Sequence, residues 1–316
     1  MPGDSQDLAL GPPARPPRFS LIVATVDRVA ALDRLFASLA AQHERDFEVI
    51  VVDQNADERL APLLARYAGT LDVRHLRAPR GLSRARNAGL AVARGAIVAF
   101  PDDDCRYARD TLARVAGFLV THADVDGVTG RVDANPGERA PARFARRPHR
   151  LDRRSVYLGG MSCVVFLRAA LCARVGGFDV ALGLGARSPW AAAEETDYLA
   201  RAVAQGAHLR YEPAIVVDHP GTRGALAAAQ VAKGGAYARA FGFVMRRNGA
   251  PRTLWIALLA RAVGGACIAL AAGRGDLARY HAAVVRGRWR GWREGAGHAV
   301  DDASPATIVT ARKSAG

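Results

Sequence analysis

The chain has 316 residues, of which 50% are hydrophobic, and it carries a formal net charge of +14. A chain of this length and composition can bury one large α/β core, which excludes intrinsic disorder for most of it. The positive charge suits an anionic partner. Only Lys233 and Lys313 among the 44 basic residues are lysines, however, and an arginine bias with abundant alanine is what GC-rich coding produces. The charge is therefore weak evidence, and no nucleic-acid partner is expected.

The cysteines and the chain ends also narrow the class of protein. Cys105, Cys163, Cys172 and Cys267 form no C-x-x-C pair and have no histidine at zinc-finger spacing, which predicts reduced thiols in a cytoplasmic protein. Residues 1–17 are rich in proline and lack an apolar stretch, so we expect a disordered leader rather than a secretory signal. Residues 295–316 are predicted to be a disordered tail.

Strands and helices alternate in the first third of the chain. The apolar runs are rich in Val and Ile without strict alternation, which is typical of strands buried on both faces. The predicted elements are a strand over Phe19–Thr25, a helix over Val29–Gln42, a strand over Phe47–Asp53, a helix over Leu60–Tyr67, a weaker strand over Leu71–Leu76, a helix over Leu82–Ala93 and a strand over Ala96–Phe100. This order predicts an α/β, Rossmann-like fold with a mostly parallel central sheet flanked by helices.

The next hundred residues complete the predicted α/β domain, which spans residues 18–220. The Pro- and Arg-rich segment Asp133–Arg154 is aperiodic and is expected to be a mobile loop. The remaining predictions are a helix over Tyr107–His122, a strand over Gly127–Val132, a strand over Ser162–Leu167, a helix over Arg168–Val175, a loop over Phe178–Trp190, a helix over Glu194–Gln205 and a strand over His208–Val217.

Residues 221–294 predict a C-terminal helical appendage, because they are rich in Ala and Arg and show no strand pattern. Leu254–Ala272 is apolar except for Arg261. A central arginine costs roughly 2.5–3.5 kcal/mol in a membrane-spanning helix, which favours a packed or interfacial helix over a spanning one. The basic stretch that follows contains Trp289 and Trp292. This stretch is equally consistent with a helix that binds an anionic membrane surface and with a basic helix exposed to solvent.

Polar residues collect where the predicted strands end, and ligands bind beyond the carboxyl ends of strands in such sheets. These residues are Thr25, Asp27, Arg28, Asp53, Asn55, Asp102, Asp103 and Asp104. Three adjacent carboxylates repel one another unless a cation compensates them, and Mg2+ is commonly held by one or two carboxylates together with substrate phosphates. The triplet Asp102–Asp104 therefore predicts a metal and diphosphate site, while an acidic turn that caps the next helix is the alternative.

Four segments in this order resemble the donor half of the family 2 glycosyltransferases of GT-A fold. They are SLIVATVDR, FEVIVVDQN, GLSRARNAGL and AIVAFPDDDC, and they span Phe19–Cys105. The resemblance implies that residues 18–132 bind a nucleotide-sugar (UDP-, dTDP- or GDP-linked) and that residues 133–220 bind the acceptor. It also implies that Asp104 holds Mg2+ or Mn2+. Donor contacts are implied for Thr25, Asp27, Arg28, Asp53, Asn55, Gly81, Arg86, Asn87, Asp102 and Asp103.

The acceptor half resembles the same family in two shorter motifs. Gly176-Gly177-Phe178-Asp179 is similar to its GGFD segment, and Glu194-Glu195-Thr196-Asp197 is similar to its E-D-x-D segment, with Glu in second place. An acceptor hydroxyl is a poor nucleophile, so an inverting transferase needs a carboxylate base. Glu195 is the first choice for this base, and Glu194 and Asp197 are the alternatives. An acidic helix N-terminus without a catalytic role is the structural alternative.

The resemblance also implies further ligands and partners. His219 follows the last predicted strand, where some relatives place a histidine that contacts the metal, so His219 and Asp102 join Asp104 as metal candidates. The implied acceptor is a glycan or a lipid-linked sugar, as in polysaccharide biosynthesis, at the cytoplasmic face of the membrane. A non-catalytic basic protein that binds nucleic acid or a membrane surface is the competing hypothesis. A dinucleotide oxidoreductase is disfavoured because Ala24–Arg28 lacks the G-x-G-x-x-G pattern.

Overall fold

The computed structural model describes residues 15–134, 138, 144–158, 160–221, 224 and 226–297. Most of the predicted leader and tail therefore lies outside the described residues, as does part of the predicted loop Asp133–Arg154. Gly295–Gly297 form a 3-10 helix, so ordered structure extends three residues into the segment predicted to be a disordered tail.

The N-terminal half of the α/β domain follows the predicted alternation of strands and helices. Its elements are β1 (Phe19–Thr25), α1 (Val29–Ala40), β2 (Phe47–Asp53), α2 (Ala61–Tyr67), β3 (Asp72–Arg77), α3 (Leu82–Leu90) and β4 (Ile97–Ala99). β1 pairs in parallel with both β2 and β4, and β2 pairs in parallel with β3. The predicted parallel sheet is thus present over these four strands.

The rest of the sheet is mixed. Its elements are β5 (Arg106–Tyr107), α4 (Thr111–Thr121), β6 (Gly127–Asp133), β7 (His149–Leu151), β8 (Val165–Arg168), α5 (Ala169–Val175), α6 (Glu194–Ala204) and β9 (Leu209–Asp218). The strand order is β3-β2-β1-β4-β8-β6-β9-β5, and β7 pairs with β9. β8 runs antiparallel to both β4 and β6, while β6 and β9 are parallel.

The strand predicted over Ser162–Leu167 begins at Val165, because Ser162–Val164 form a 3-10 helix. Two short strands were also not predicted. The helix expected from Tyr107 begins at Thr111, because Arg106 and Tyr107 pair with Asp218 and Val217 as a short edge strand. His149–Leu151, expected to be loop, pairs antiparallel with β9. Both strands are too short for a hydrophobic pattern to be recognised in the sequence. Both form by pairing with β9, which is distant in the chain.

The core lies on both faces of the sheet, which explains the mainly apolar character of β1 and β2. Leu21 and Val23 of β1 pack with Phe36 and other side chains of α1 on one face. Ile22 packs on the opposite face with Ala85 of α3. All of these side chains are at most 1% exposed. Ser20 and Glu48 are buried inside the two strands and hydrogen-bond to each other at 2.6 Å, while Thr25 and Asp53 stand at the strand ends.

Three helices form the C-terminal appendage: α7 (Ala228–Arg247), α8 (Arg252–Ala271) and α9 (Gly275–Glu294). α9 packs so closely along α7 that a Cβ added to Gly291 would overlap the carbonyl oxygen of Arg239. α7 in turn joins the α/β domain through Arg247, which pairs at 2.6 Å with both Asp179 and Asp197. α8 is the single helix of the described chain long and apolar enough to cross a membrane, and only 22% of its apolar window is buried.

Candidate active site

The ends of β1, β2 and β4 bring the predicted donor residues together. Thr25 and Asp53 are register partners at the ends of β1 and β2. The triplet Asp102–Asp104 follows β4, which flanks β1 on its other side. The structure then gives the three aspartates different surroundings, which the sequence could not distinguish.

Asp103 is held inside the site by two donors. Its carboxylate accepts a 2.8 Å hydrogen bond from Thr25 Oγ1 and a 2.9 Å contact from Arg28 Nη1, and the residue is 7% exposed. Burial raises the pKa of Asp103 against the opposing effects of Arg28 and Thr25. Both of its oxygens are engaged, so Thr25 and Asp103 form a fixed base for the loop that carries the triplet.

Asp104 faces a histidine from the other end of the sheet. Its Oδ1 lies 3.3 Å from His219 Nε2, and its Oδ2 lies 2.6 Å from Arg28 Nη1. Burial opposes ionisation of Asp104, but His219 and Arg28 outweigh it and lower its pKa to about 2. A carboxylate with a low pKa and an imidazole at this distance are suitable ligands for one divalent cation.

Asp102 occupies the inner part of the site. Its carboxylate accepts hydrogen bonds from Ser162 Oγ at 2.9 and 3.1 Å, and it lies 3.2 Å from Arg86 Nη2. Burial raises the pKa of Asp102, although Arg86 and His219 oppose that effect. His219 Nε2 is 3.9 Å from Asp102 Oδ2, so the histidine lies between Asp102 and Asp104.

These three side chains fit a partial ligand set for Mg2+ or Mn2+. Within the described part of the chain no group of three or more His, Cys, Asp and Glu side chains already has the arrangement of a complete metal centre. Asp104 and His219 can supply two ligands, and Asp102 lies next to them. Mg2+ normally keeps coordination positions for waters and substrate phosphates, which agrees with an incomplete protein set.

The nucleotide end of the site centres on Asp53, which is fully buried. Its Oδ1 accepts hydrogen bonds from the backbone N and Nδ2 of Asn55, at 2.9 and 2.7 Å. Its Oδ2 lies 3.0 Å from His75 Nε2 and 3.4 Å from Arg77 Nη1. The sequence analysis did not single out His75 and Arg77. Arg77 is the register partner of Asp53 at the end of β3, so the strand-end argument could have identified it.

Asp27 and Gly81 shape the rim of this pocket. Asp27 adopts a left-handed backbone conformation with φ 58, and its backbone N donates to Asn55 Oδ1 at 2.7 Å. Its carboxylate pairs with Arg59 and Arg80 at 2.6 and 2.8 Å. Gly81 has φ 140, a conformation that favours glycine, and its N–H donates to Gln54 Oε1 at the start of α3. The side chain of Asp27 is thus already engaged by two arginines.

Arg86 connects the donor half to the acceptor half. Its side chain is 2% exposed, and Nη1 lies 2.7 Å from Glu194 Oε1 while Nη2 lies 3.2 Å from Asp102 Oδ1. The Phe178 ring lies 5.5 Å from the guanidinium carbon. A buried arginine between two carboxylates satisfies charges that would otherwise be costly to bury. The guanidinium therefore brings α6 next to the aspartate triplet.

Asn87 does not fit its predicted donor contact. Its Nδ2 donates to the carbonyl oxygen of Phe178 at 2.9 Å, and its Oδ1 accepts from the backbone N of Phe178 at 2.7 Å. Both ends of the amide are thus used to join α3 to the Gly176–Asp179 segment. The sequence places Asn87 beside Arg86, but adjacent residues on a helix point in different directions.

The three acids of Glu194–Asp197 also differ from one another. Asp197 is fully buried, and its carboxylate engages Arg201 Nε at 2.9 Å, Arg247 Nη2 at 2.6 Å and Asn248 Nδ2 at 2.8 Å. Asp197 therefore does not fit its predicted place among the catalytic residues, since its oxygens anchor α6 to α7. Glu194 is occupied by Arg86.

Glu195 is the acid of this segment that keeps a partly exposed side chain without an ion pair of its own among the described contacts. Burial and the adjacent charge of Glu194 raise the pKa of Glu195 to about 8, against the opposing effect of Arg86. A carboxylate with a raised pKa is a stronger base once it is ionised. The raised pKa and partial exposure of Glu195 agree with its prediction as the base, which stays a prediction.

Tyr237 of α7 is a site residue that the sequence analysis missed. Burial, and then the charges of Glu194, Glu195 and Asp102, raise the pKa of its phenol to about 12. The appendage thus contributes a side chain near the carboxylates of both halves. No motif identifies Tyr237, because its position depends on how α7 packs on the α/β domain.

Comparison with known proteins agrees with this geometry. The family model described as glycosyl transferase family 2 matches residues 20–172. Residues 20–172 are thus similar to this family. The match covers the donor half and ends before Glu194–Asp197 and His219, so those residues rest on geometry and on the shorter motifs.

Curated relatives in the family match this chain over part of their length. A PGL/p-HBAD biosynthesis glycosyltransferase of Mycobacterium bovis is 35% identical over 120 residues, which are 37% of this chain and 47% of that protein. The poly(ribitol-phosphate) β-N-acetylglucosaminyltransferase TarS of Staphylococcus aureus is 31% identical over 125 residues, which are 36% of this chain and 22% of TarS. The matched region thus spans less than half of each relative.

Solved structures show that this chain has the GT-A fold. A mannosyltransferase of Pyrobaculum calidifontis, in complex with GDP-Man and Mn2+, superposes with a TM-score of 0.60 at 19% identity, covering 88% of each chain. Residues 1–349 of S. aureus TarS, in complex with UDP-GlcNAc, superpose with a TM-score of 0.57 at 18% identity, covering 86% of this chain and 91% of that one.

Proposed function

We propose that this chain is an inverting, metal-assisted glycosyltransferase that moves a hexose from a UDP-, dTDP- or GDP-sugar to a hydroxyl of a glycan or lipid-linked acceptor. The observation that carries the proposal is the position of Arg86 between Asp102 of the donor half and Glu194 of the acceptor half. This contact supports the proposal because it joins the start of α6, which contains Glu195, to the aspartate triplet. The similarity of residues 20–172 to family 2 and neighbours crystallised with nucleotide-sugars support the same reading.

The residues divide the reaction between two ends of the site. Asp53, Asn55 and the side chains of β3 hold the nucleoside, and the Asp102–Asp104 loop faces the diphosphate. Mg2+ or Mn2+ bound at Asp104 and His219 would neutralise the negative charge that develops on the leaving diphosphate. Arg28 contacts Asp103 and Asp104 in the donor-free chain, and it is positioned to move its charge to the phosphates when the donor binds.

Glu195 takes the proton of the acceptor hydroxyl in this proposal. The oxygen then attacks the anomeric carbon from the face opposite the diphosphate, the bond to the diphosphate breaks with its electron pair, and the configuration inverts. Arg86 holds Glu194 and Asp102 in place through its two contacts, so the neighbouring Glu195 has a defined position. Tyr237 borders the acceptor side. The proposed setting is the cytoplasm, where nucleotide-sugars are supplied.

A panel of UDP-, dTDP- and GDP-sugars tests the proposal. Each donor is assayed for binding and slow hydrolysis with Mn2+, with Mg2+ and with EDTA. We expect one nucleotide class to bind in a metal-dependent manner, Asp104→Asn to lose that dependence, and Glu195→Gln to keep donor binding while losing transfer. Donor binding unchanged by EDTA and by Asp104→Asn would refute the metal assignment. Full transfer by Glu195→Gln would refute the proposed base.

A further inference from the structure

The α8–α9 hairpin presents an apolar helix face with no protein covering it in the described chain. Ile256, Val263, Ile268 and Leu270 are 57%, 47%, 73% and 65% exposed. Ile256, Val263 and Leu270 follow one another at seven-residue spacing, so they form one continuous stripe along α8. The buried residues of α8, such as Leu258, lie on the opposite side and pack against the chain.

Arginines flank this apolar face. Arg252 and Arg261 are exposed on α8, and Arg279, Arg286 and Arg293 are exposed on α9. Trp289 of α9 is 51% exposed. Exposed arginines on α9 recur at positions 279, 286 and 293, again at seven-residue spacing, so they form one basic stripe along α9.

One end of the hairpin also contains a basic cleft. It has a volume of about 350 Å³ and is lined by Arg246, Arg252, Trp292, Arg293 and Ala296. The Arg246 guanidinium carbon lies 5.3 Å from the centre of the Trp292 ring. Its lining contains three cations and no carboxylate, which is complementary to a phosphate group.

We propose that the α8–α9 hairpin docks this chain onto an anionic lipid bilayer. The apolar stripe of α8 enters the boundary between headgroups and acyl chains, the arginines of α9 contact lipid phosphates, and the cleft takes one headgroup. We favour a bilayer over other apolar partners because the arginines of the hairpin are complementary to anionic lipid phosphates. The proposal goes beyond the proposed transferase activity and does not depend on it, although it would bring a lipid-linked acceptor close to the chain.

The packing of α9 indicates that the α8–α9 hairpin lies on the membrane surface and that α8 does not cross the bilayer. α9 returns directly after α8 and packs beside it, with Arg288 Nη1 donating to the carbonyl oxygen of Leu258 at 2.6 Å. If α8 spanned a bilayer, the arginines of α9 would enter the hydrocarbon with it. Each arginine at the bilayer centre costs roughly 2.5–3.5 kcal/mol on insertion scales, whereas an interfacial position keeps these charges at the phosphates.

Vesicle flotation of the full chain tests this proposal. The vesicles contain phosphatidylcholine alone or phosphatidylcholine with phosphatidylglycerol. We expect flotation with the anionic vesicles only, weakened by high salt. Arg252→Gln/Arg286→Gln/Arg293→Gln should weaken binding by roughly fivefold per arginine. Arg34→Gln/Arg109→Gln/Arg147→Gln removes three exposed arginines elsewhere and should leave binding unchanged.

A second pair of variants tests the apolar contribution of α8 to membrane binding. Leu270→Asn should reduce flotation at least severalfold, while Val120→Asn on α4 should not, although Val120 is 75% exposed and Leu270 is 65% exposed. Circular dichroism and donor binding check that each variant is folded. Equal flotation by all variants would overturn the proposal. Resistance to alkaline carbonate extraction would instead show a spanning helix, and a Leu270-dependent dimer that ignores vesicles would show a second copy as the partner.

Discussion

Arg86 pairs with Glu194 and leaves Glu195, the next residue, without an arginine of its own among the described ion pairs. The contact between Arg86 Nη1 and Glu194 Oε1 is 2.7 Å long and fully inside the protein. Two adjacent glutamates at the start of α6 thus acquire different chemistry. Glu194 is bound by the guanidinium of Arg86, and Glu195 has a raised pKa.

Replacing Arg86 tests this relationship. Arg86→Met leaves the buried carboxylates of Glu194 and Asp102 without their shared cation, so we expect a loss of roughly 3–5 kcal/mol in the free energy of unfolding. Arg84→Met, an exposed change on the same helix, should cost little. Urea denaturation measures both. The double variant Arg86→Met/Glu194→Gln should recover part of the lost stability, and no recovery would contradict the pairing.

The raised pKa of Glu195 predicts a specific pH profile. The base must be ionised, and kcat/KM reports the free enzyme, so kcat/KM should rise with pH and level off above about 8. Glu195→Gln should lower transfer by roughly 10²–10⁴-fold and abolish this rise. The groups around Glu195 that affect the profile are Glu194, Arg86, Asp102 and Tyr237.

The same pKa predicts an effect on stability that needs no substrate. The folded-state pKa of Glu195 lies above its unfolded value, so the folded chain binds more protons and loses stability as pH rises from about 4.5 to about 8. The Glu195→Gln variant should not show this pH-dependent loss of stability, because glutamine does not titrate. The difference in Tm in favour of the variant should therefore grow across that range. A constant difference would indicate an ordinary pKa for Glu195.

Asp197 is predicted to act on stability rather than on the chemical step. Asp197→Asn leaves Arg201 and Arg247 facing a neutral amide inside the protein, so we expect a loss of about 3–5 kcal/mol. Below its denaturation midpoint the variant should retain kcat within about tenfold of the parent chain, in contrast to Glu195→Gln. A stable Asp197→Asn protein with no transfer activity would instead return Asp197 to the list of bases.

Much of the donor half could be predicted from sequence because its signals are local. β1 and β2 have the predicted boundaries, and Thr25 and Asp53 stand at the ends of their apolar runs. The roles within Asp102–Asp104 could not be predicted, because Thr25, Ser162 and His219 reach them from distant parts of the chain. Tyr237 and the true partners of Asp197 depend on the packing of α7, which no local pattern contains.

Two glycines in the appendage should respond to alanine with opposite signs. A Cβ at Gly291 would overlap Arg239 on α7, whereas a Cβ at Gly264 of α8 meets no atom within 4 Å. Gly264→Ala should stabilise the chain by roughly 0.5–1 kcal/mol, because alanine favours a helix interior. Gly291→Ala should destabilise it by about 1–3 kcal/mol, because the close-packed helices must separate. Since α7 carries Tyr237 and Arg247, Gly291→Ala should also weaken acceptor use more than donor binding, which separate titrations of the two substrates can measure. Equal effects of both alanines on Tm would show that α9 does not pack on α7 as closely as described.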